Sequence, residues 1–309
     1  MNHNCVYMGA ALARYGFGAA HPFGTDRMDA FAREFKIRKL DRFWRVNPPR
    51  PTTPEALMLF HGAEYIQRLQ DASRDGKGFL DDGDTPAFQG ILEASLTVAG
   101  TVIHAADQLM AGECRHAFVP IAGLHHARRD SAAGFCAIND CGIVIEHLKK
   151  HHGLERIAYV DIDAHHGDGV FYAFEDDPAV IFVDFHEDGR FLYPGTGDAS
   201  ESGRGAAAGL KLNVPLPPRA TDELFEKLWP AAERFLHRHD IQFCILQAGA
   251  DSIAGDPITS MRLTPAIHAR VAMSLSKLPC QRLLMLGGGG YNRDNLARTW
   301  NNMLRALSP

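Results

Sequence analysis

A chain of 309 residues that is 46% hydrophobic and 22% charged has the material for a sizeable core, which excludes global disorder, collagen-like repeats and low complexity. Its 32 basic and 37 acidic residues leave a formal charge of -5, without the basic excess that holds a protein on nucleic acid through phosphate contacts. The 16 histidines are the unusual number, because imidazole titrates near neutrality and binds metals, so their clustering decides what they mean.

The six cysteines form no C-x-x-C, which argues against a zinc ribbon, and a chain of this length needs no disulfide framework. No secretory pattern opens the sequence, and no apolar run reaches the ~18 residues that span a bilayer. A reduced cytoplasmic protein without membrane or nucleic-acid partners is expected, with its oligomeric state open.

In chain order, the proline-rich residues 48–54 predict a loop between helices. Residues 86–111 predict the longest helix, with Ile91, Ala94, Ser95, Val98 and Val102 on one face. A short apolar run at 117–121 predicts a strand. Residues 139–151 follow Asn139, a plausible helix cap. Further strands are predicted at 157–162 and 180–185, and a long Gly/Ser loop at 195–209. A helix at 221–238 starts at Thr221, and a strand follows at 243–247. A helix at 265–278, a strand at 282–286 and a helix at 292–307 complete the pattern. The strands lack polar alternation, as parallel strands buried on both faces do. The expectation is an α/β fold, a parallel sheet flanked by helices, in one domain over residues 1–309.

Ligands of such sheets bind beyond the carboxyl ends of strands. Polar and glycine residues collect there after all five predicted strands. Residues 161–168 hold three aspartates and two histidines, and on an extended segment Asp161, Asp163 and His165 project to one side. Asp163 and His165 suit one metal ion, and an oxygen and nitrogen set without thiolate fits zinc, manganese or iron(II). A third ligand is needed, and Asp256 and Asp251 compete for that place. His125-His126 follows the strand at 117–121 and offers groups of near-neutral pKa for acid–base work, with Asp161 and Asp168 as spare carboxylates to orient them. His151-His152, at a predicted helix end, reads instead as a pair near a helix C-terminus. Four glycines at 287–290 precede Tyr291, whose phenol suits a developing oxyanion. Metal, histidine pair and phenol together are the parts of a metal-assisted amide hydrolase.

Six motifs carry a resemblance to a known family: GLHHA at 123–127, GFCAIND at 134–140, DIDAHHGDG at 161–169, YPGTGD at 193–198, GADSIAGDP at 249–257 and GGGGYN at 287–292. In this order, from about residue 20 to 305, the chain resembles the zinc-dependent histone deacetylase family, in its class I and bacterial acetoin-utilisation-type branch, with the arginase–deacetylase fold. The resemblance implies one zinc per chain, held by Asp163, His165 and Asp256, with Asp251 supporting. It implies His126 as general base and then acid, His125 as its electrostatic partner, Asp161 paired with His125, Asp168 paired with His126, and Tyr291 on the acyl carbonyl. Phe135 and Tyr193 would wall a tunnel for the lysine stem, with Gly134 and Leu263 nearby, and Asp84 would hold substrate backbone at the rim. A structural potassium would lie near Asp161, Asp163, His165, Asp184 and Phe185, although Asp184 stands where the family often has serine. Arg27 matches an arginine at the base of an acetate-release channel.

The implied activity is hydrolysis of Nε-acetyl-lysine or related acyl-lysine amides in proteins or peptides. Alternatives are deacetylation of small acylated amines such as acetylpolyamines, an amidinohydrolase with two metals, and a non-catalytic binding protein on the same fold.

Overall fold

The computed structural model describes residues 3–18 and 20–309. Eight parallel strands form one sheet: β1 (His3–Tyr7), β2 (Trp44–Asn47), β3 (Cys114–Val119), β4 (Ile157–Asp161), β5 (Val180–Glu187), β6 (Lys211–Leu216), β7 (Phe243–Gln247) and β8 (Leu283–Leu286), in spatial order β2-β1-β3-β8-β7-β4-β5-β6. The helices are α1 (Ala10–Ala13), α2 (Arg27–Ile37), α3 (Pro54–Leu57), α4 (Ala63–Asp75), α5 (Ile91–Met110), α6 (Asp140–His152), α7 (Asp168–Ala173), α8 (Asp222–Leu236), α9 (Pro265–Leu275) and α10 (Arg293–Ala306). This is the expected parallel sheet flanked by helices, consistent with the arginase–deacetylase fold.

The five predicted strands are the central ones. Each of β4, β5, β7 and β8 is buried at every residue, which is why their sequences run apolar without alternation. Three strands went unpredicted. β2 and β6 are the sheet edges, where burial is incomplete: Arg45 is exposed, Pro215 is half-buried, and Lys211, though buried, donates its ammonium to Asp177 O and Val180 O. β1 is short and opens on polar residues. The loop at 48–54 joins β2 to α3 rather than two helices. The helix expected from residue 86 begins at Ile91, because Gly90, with φ of 93°, ends the preceding loop.

The strand order places the site. From β3 the chain passes through α6 to β4, leaving a gap that β7 and β8 fill later. The loops leaving β3, β4, β7 and β8 therefore meet at one edge of four adjacent strands. Register sharpens this, since Asp161 at the end of β4 lies beside Asp184 of β5 and Gln247 of β7.

Candidate active site and metal centre

The loop after β3 carries His125 and His126. It is clamped by the first residue of α6, since the Asp140 carboxylate accepts from Gly123 N at 2.9 Å and Leu124 N at 2.8 Å. Asn139 caps α6 by accepting from Gly142 N at 2.8 Å, and its amide donates to Ala127 O at 2.8 Å and His125 O at 3.3 Å. The two rings face each other with Nε2 atoms 3.0 Å apart. Each far nitrogen meets its own carboxylate: His125 Nδ1 lies 2.8 Å from Asp161 Oδ2, and His126 Nδ1 lies 2.7 Å from Asp168 Oδ1.

The two imidazoles are pushed in opposite directions. Burial works against charge on His125, but Asp161 and Asp163 outweigh it and raise the ring to about 9. Burial and the neighbouring His125 charge lower His126 to about 4 despite Asp168. His126 is therefore the neutral ring beside a charged one, the protonation state a base needs. Tyr159, inside β4, donates its hydroxyl to Asp161 Oδ2 at 2.7 Å and fixes that carboxylate.

Beyond β4 the chain bends instead of staying extended, and side-chain capping sets its course. Asp161 Oδ1 accepts from Asp163 N at 3.1 Å, and Asp163 Oδ1 accepts from His165 N at 3.0 Å. Asp163 Oδ2 is fixed by Gln247 Nε2 and Gly289 N, both at 2.9 Å. His165 Nδ1 faces Asp163 Oδ1 at 3.0 Å and Asp251 Oδ2 at 3.2 Å.

Among the described residues, Asp163, His165 and Asp251 have donor atoms within 4.8 Å of one another, and all three are buried. Asp256 stands outside that triplet. Its Oδ2 accepts from Tyr291 N at 2.8 Å and its Oδ1 from Ile258 N at 3.1 Å. Burial raises its carboxyl, and it couples to the triplet through charge: His165 lowers it, and it in turn helps raise Asp251. Burial, with Asp163 adding to it, lifts Asp251 to about 7, and Asp251 Oδ2 is buried with no hydrogen bond directed at it. Three buried carboxylates around one imidazole, with an orphaned oxygen among them, fit a divalent cation with oxygen and nitrogen ligands.

Gly289 lies so close to Asp251 Oδ2 that a Cβ there would overlap it, so the glycine run lets the backbone reach the carboxylates. Tyr291 follows, half-buried, its ring 5.7 Å from Phe135. Burial, then Asp251 and Asp163, hold its phenol well above the usual range, so it stays a proton donor.

Phe135 adopts φ of 68°, a left-handed conformation that costs a bulky residue about 1–3 kcal/mol. Two bonds hold it there: its N–H donates to Thr85 Oγ1 at 3.1 Å, and its carbonyl accepts from Tyr15 Oη at 2.9 Å. Tyr193 packs edge-on to His126 at 5.1 Å. Gly134, at φ of 53°, has room for no side chain, since a Cβ would sit 2.6 Å from the His126 ring and 3.0 Å from Tyr193. Leu263 is buried and pairs through its backbone with Ile253, on the loop that carries Asp251 and Asp256.

Asp84 is exposed, on a loop organised by Asp81. The Asp81 carboxylate accepts from the amides of Gly83, Asp84 and Thr85. Asp184 is buried beside Asp161, its carboxylate met by His186 Nδ1 at 2.7 Å and Gly167 N at 2.9 Å, and Phe185 next to it packs on Phe225 and Trp229. Asp184 thus has protein partners of its own, and its surroundings supply no argument for potassium.

Arg27 opens α2 with a fully buried guanidinium that donates from Nε to Gly290 O at 3.0 Å and from Nη2 to Gly288 O at 2.6 Å. Its Nη1 has no partner, and burial lowers the group to about 10.

Tyr159, Gln247, Asp140, Tyr15 and Asp81 are supports that sequence reasoning did not assign, while Asn139 was read only as a helix cap. Asn139 and Asp140 stood inside the quoted motif GFCAIND, so a signal for them was present. No helix among the described residues is long and apolar enough to cross a membrane.

A family model described as "Histone deacetylase domain" matches residues 21–307. The chain is 35% identical over 290 residues to the acetoin utilization protein AcuC of Bacillus subtilis, covering 90% of this chain and 75% of that one. It is 36% identical over 266 residues to histone deacetylase 8 of Xenopus tropicalis, covering 83% and 71%. Against histone deacetylase RPD3 of Saccharomyces cerevisiae it is 31% identical over 303 residues, covering 94% and 68%.

Proposed function

The chain belongs to the histone deacetylase family and is a hydrolase, and on that premise we propose that it cleaves Nε-acetyl-lysine or a related acylated amine in one catalytic domain. The observation that carries the reading is the pair of His–Asp dyads, 3.0 Å apart at their Nε2 atoms, at the end of the sheet edge that carries Asp163 and His165.

The family is zinc-dependent, and we assign Asp163, His165 and Asp256 as ligands of one zinc per chain, with Asp251 supporting them. The resemblance of residues 249–257 to the family motif favours Asp256, while the close approach of Asp251 to His165 makes it the alternative. Bound zinc supplies Lewis acidity to the amide carbonyl and to the attacking water.

In the reading, His126 takes the water proton at Nε2 as the C–O bond forms, with Asp168 bracing its Nδ1. The charge on His125, fixed by Asp161, stabilises the negative charge that develops beside it. Tyr291 donates its phenolic hydrogen bond to the acyl oxygen as that oxygen becomes anionic. The C–N bond breaks, His126 returns its proton to the leaving amine, and acetate and free amine result. Phe135 and Tyr193 would flank the amine's alkyl stem, with Gly134 and Leu263 shaping the same passage and Asp84 taking substrate backbone at the rim. The unpartnered Nη1 of buried Arg27 supports a role in passing the acetate product.

Tyr291→Phe, assayed on an acetyl-lysine peptide, is the test. Loss of about 10²–10³ in kcat is the size of effect expected for an oxyanion donor, and unchanged turnover would overturn the role. Parallel turnover of acetylputrescine decides whether small amines or lysine side chains are preferred.

A further inference from the structure

The histidines at the end of α6 do more than follow a helix terminus. His147 Nε2 and His152 Nε2, on α6, each lie 2.8 Å from the same oxygen, Oδ1 of Asp107 in the last turn of α5. The three donor atoms lie within 4.8 Å of one another, and all three residues are partly buried. His151 packs its ring 4.8 Å from that of His147, which limits how far His147 can swing. Partial burial tends to raise the Asp107 carboxyl, but the hydrogen bonds from His147 and His152 outweigh it and hold it below the usual range.

We propose that Asp107, His147 and His152 form a second metal site, for a divalent transition-metal ion such as zinc, that ties the C-terminal ends of α5 and α6 together. Two imidazole nitrogens and one carboxylate oxygen make a three-ligand set, leaving a position for water, and the absence of thiolate and of further carboxylates suits zinc, cobalt or nickel over calcium or magnesium. Zinc bonds of about 2.0–2.2 Å require nitrogen and oxygen to stand somewhat over 3 Å apart, so the ion enters with an outward shift of roughly 0.5 Å per ring. The negative ends of both helix macrodipoles favour a cation here. The site is separate from the catalytic one. α6 starts at the active-site loop, where Asp140 grips Gly123 and Leu124, and at about 1.5 Å per residue His147 and His152 lie roughly 10 and 18 Å along it.

The test is metal stoichiometry of the full chain by equilibrium dialysis against zinc alone, and again against cobalt(II) for its visible spectrum. The wild type is expected to bind one more ion than the His147→Gln/His152→Gln double variant and one more than Asp107→Asn, with hydrolase activity the same in all three. The extra ion should also raise the thermal midpoint of the wild type and leave that of the variants unmoved. Equal stoichiometry in wild type and variants overturns the site and leaves Asp107 as the centre of a metal-free hydrogen-bonded clip. Because the readout is the difference between wild type and variants, it stands whether or not the catalytic ligands assigned above are correct.

Discussion

His125 and His126 hold their Nε2 atoms 3.0 Å apart while their Nδ1 atoms are braced by different carboxylates, Asp161 and Asp168. The two dyads look alike in the contact geometry but not in charge. Asp161 and Asp163 both act on His125, which is raised to about 9, whereas His126 has Asp168 and a charged neighbour, and is lowered to about 4. One ring holds a proton and the other can take one.

That asymmetry predicts unequal mutants. His126→Ala should lower kcat by about 10²–10⁴, the range for a lost general base, with zinc content unchanged. Asp168→Asn should fall between wild type and His126→Ala, because it leaves the base and weakens its orientation. Steady-state kinetics alongside metal analysis checks both. A His126→Ala enzyme of normal kcat would remove the residue from the mechanism.

The two aspartates competing for the metal make a second prediction. Asp251 is braced by Ala164 N at Oδ1 and faces His165 with Oδ2, while Asp256 is held by the amides of Tyr291 and Ile258. If Asp256 is the ligand, Asp256→Asn should purify without catalytic zinc, and Asp251→Asn should keep it with affinity weakened by about 10–100-fold, as loss of an orienting partner does. The reverse pattern would assign the ligand to Asp251. The count is cleanest on a background carrying His147→Gln/His152→Gln, so that an ion at Asp107 is not mistaken for the catalytic one.

The residues we assign to the chemistry stand out in the sequence, and most of those that hold them do not. Asp163, His165, His126 and Tyr291 announce themselves because charged, titratable and glycine residues rarely follow a buried apolar strand without purpose. Tyr159 and Gln247 sit inside such strands and read there as core. Their role appears only in the fold, where register brings Gln247 alongside β4 so that its amide reaches Asp163, and the pleat of β4 turns the Tyr159 hydroxyl onto Asp161. Asp81 was passed over for Asp84, because a side chain that accepts three amides of its own loop looks in sequence like one more acidic residue in a turn. The sheet followed the same logic: central strands buried on both faces were legible, and the edges bearing Arg45 and Lys211 were not.

Tyr15 illustrates such a hidden support and makes a third prediction. Its buried hydroxyl donates to Phe135 O at 2.9 Å and accepts from Ala137 N at 2.7 Å, on either side of Cys136. Tyr15→Phe leaves a buried amide and a carbonyl without that partner, a loss of about 1–3 kcal/mol. It also frees Phe135 to leave its left-handed conformation. Denaturant unfolding should show the loss, and KM for an acetyl-lysine peptide should rise with a smaller change in kcat. Stability equal to wild type would show that the hydroxyl is replaceable at no cost.

A fourth prediction concerns acid. His61 is buried behind the same loop, and its Nε2 accepts from Asn139 N at 2.9 Å, so the ring must be neutral at that atom in the folded protein. Burial lowers its pKa from 6.5 to about 4. Between these values the unfolded chain binds a proton on His61 that the folded chain does not, so stability rises with pH across that window and falls as pH drops from about 6.5 toward 4. Asn139 also holds the carbonyls of His125 and Ala127 through its side chain, so protonating His61 removes the backbone bond that anchors this cap residue. His61→Gln keeps an acceptor without a titrating group and should flatten this part of the stability profile. Chemical denaturation of both proteins between pH 4 and 7 gives the comparison. Many carboxylates titrate in that range, so the difference between the two curves carries the result, and parallel curves would mean that His61 contributes nothing to acid sensitivity.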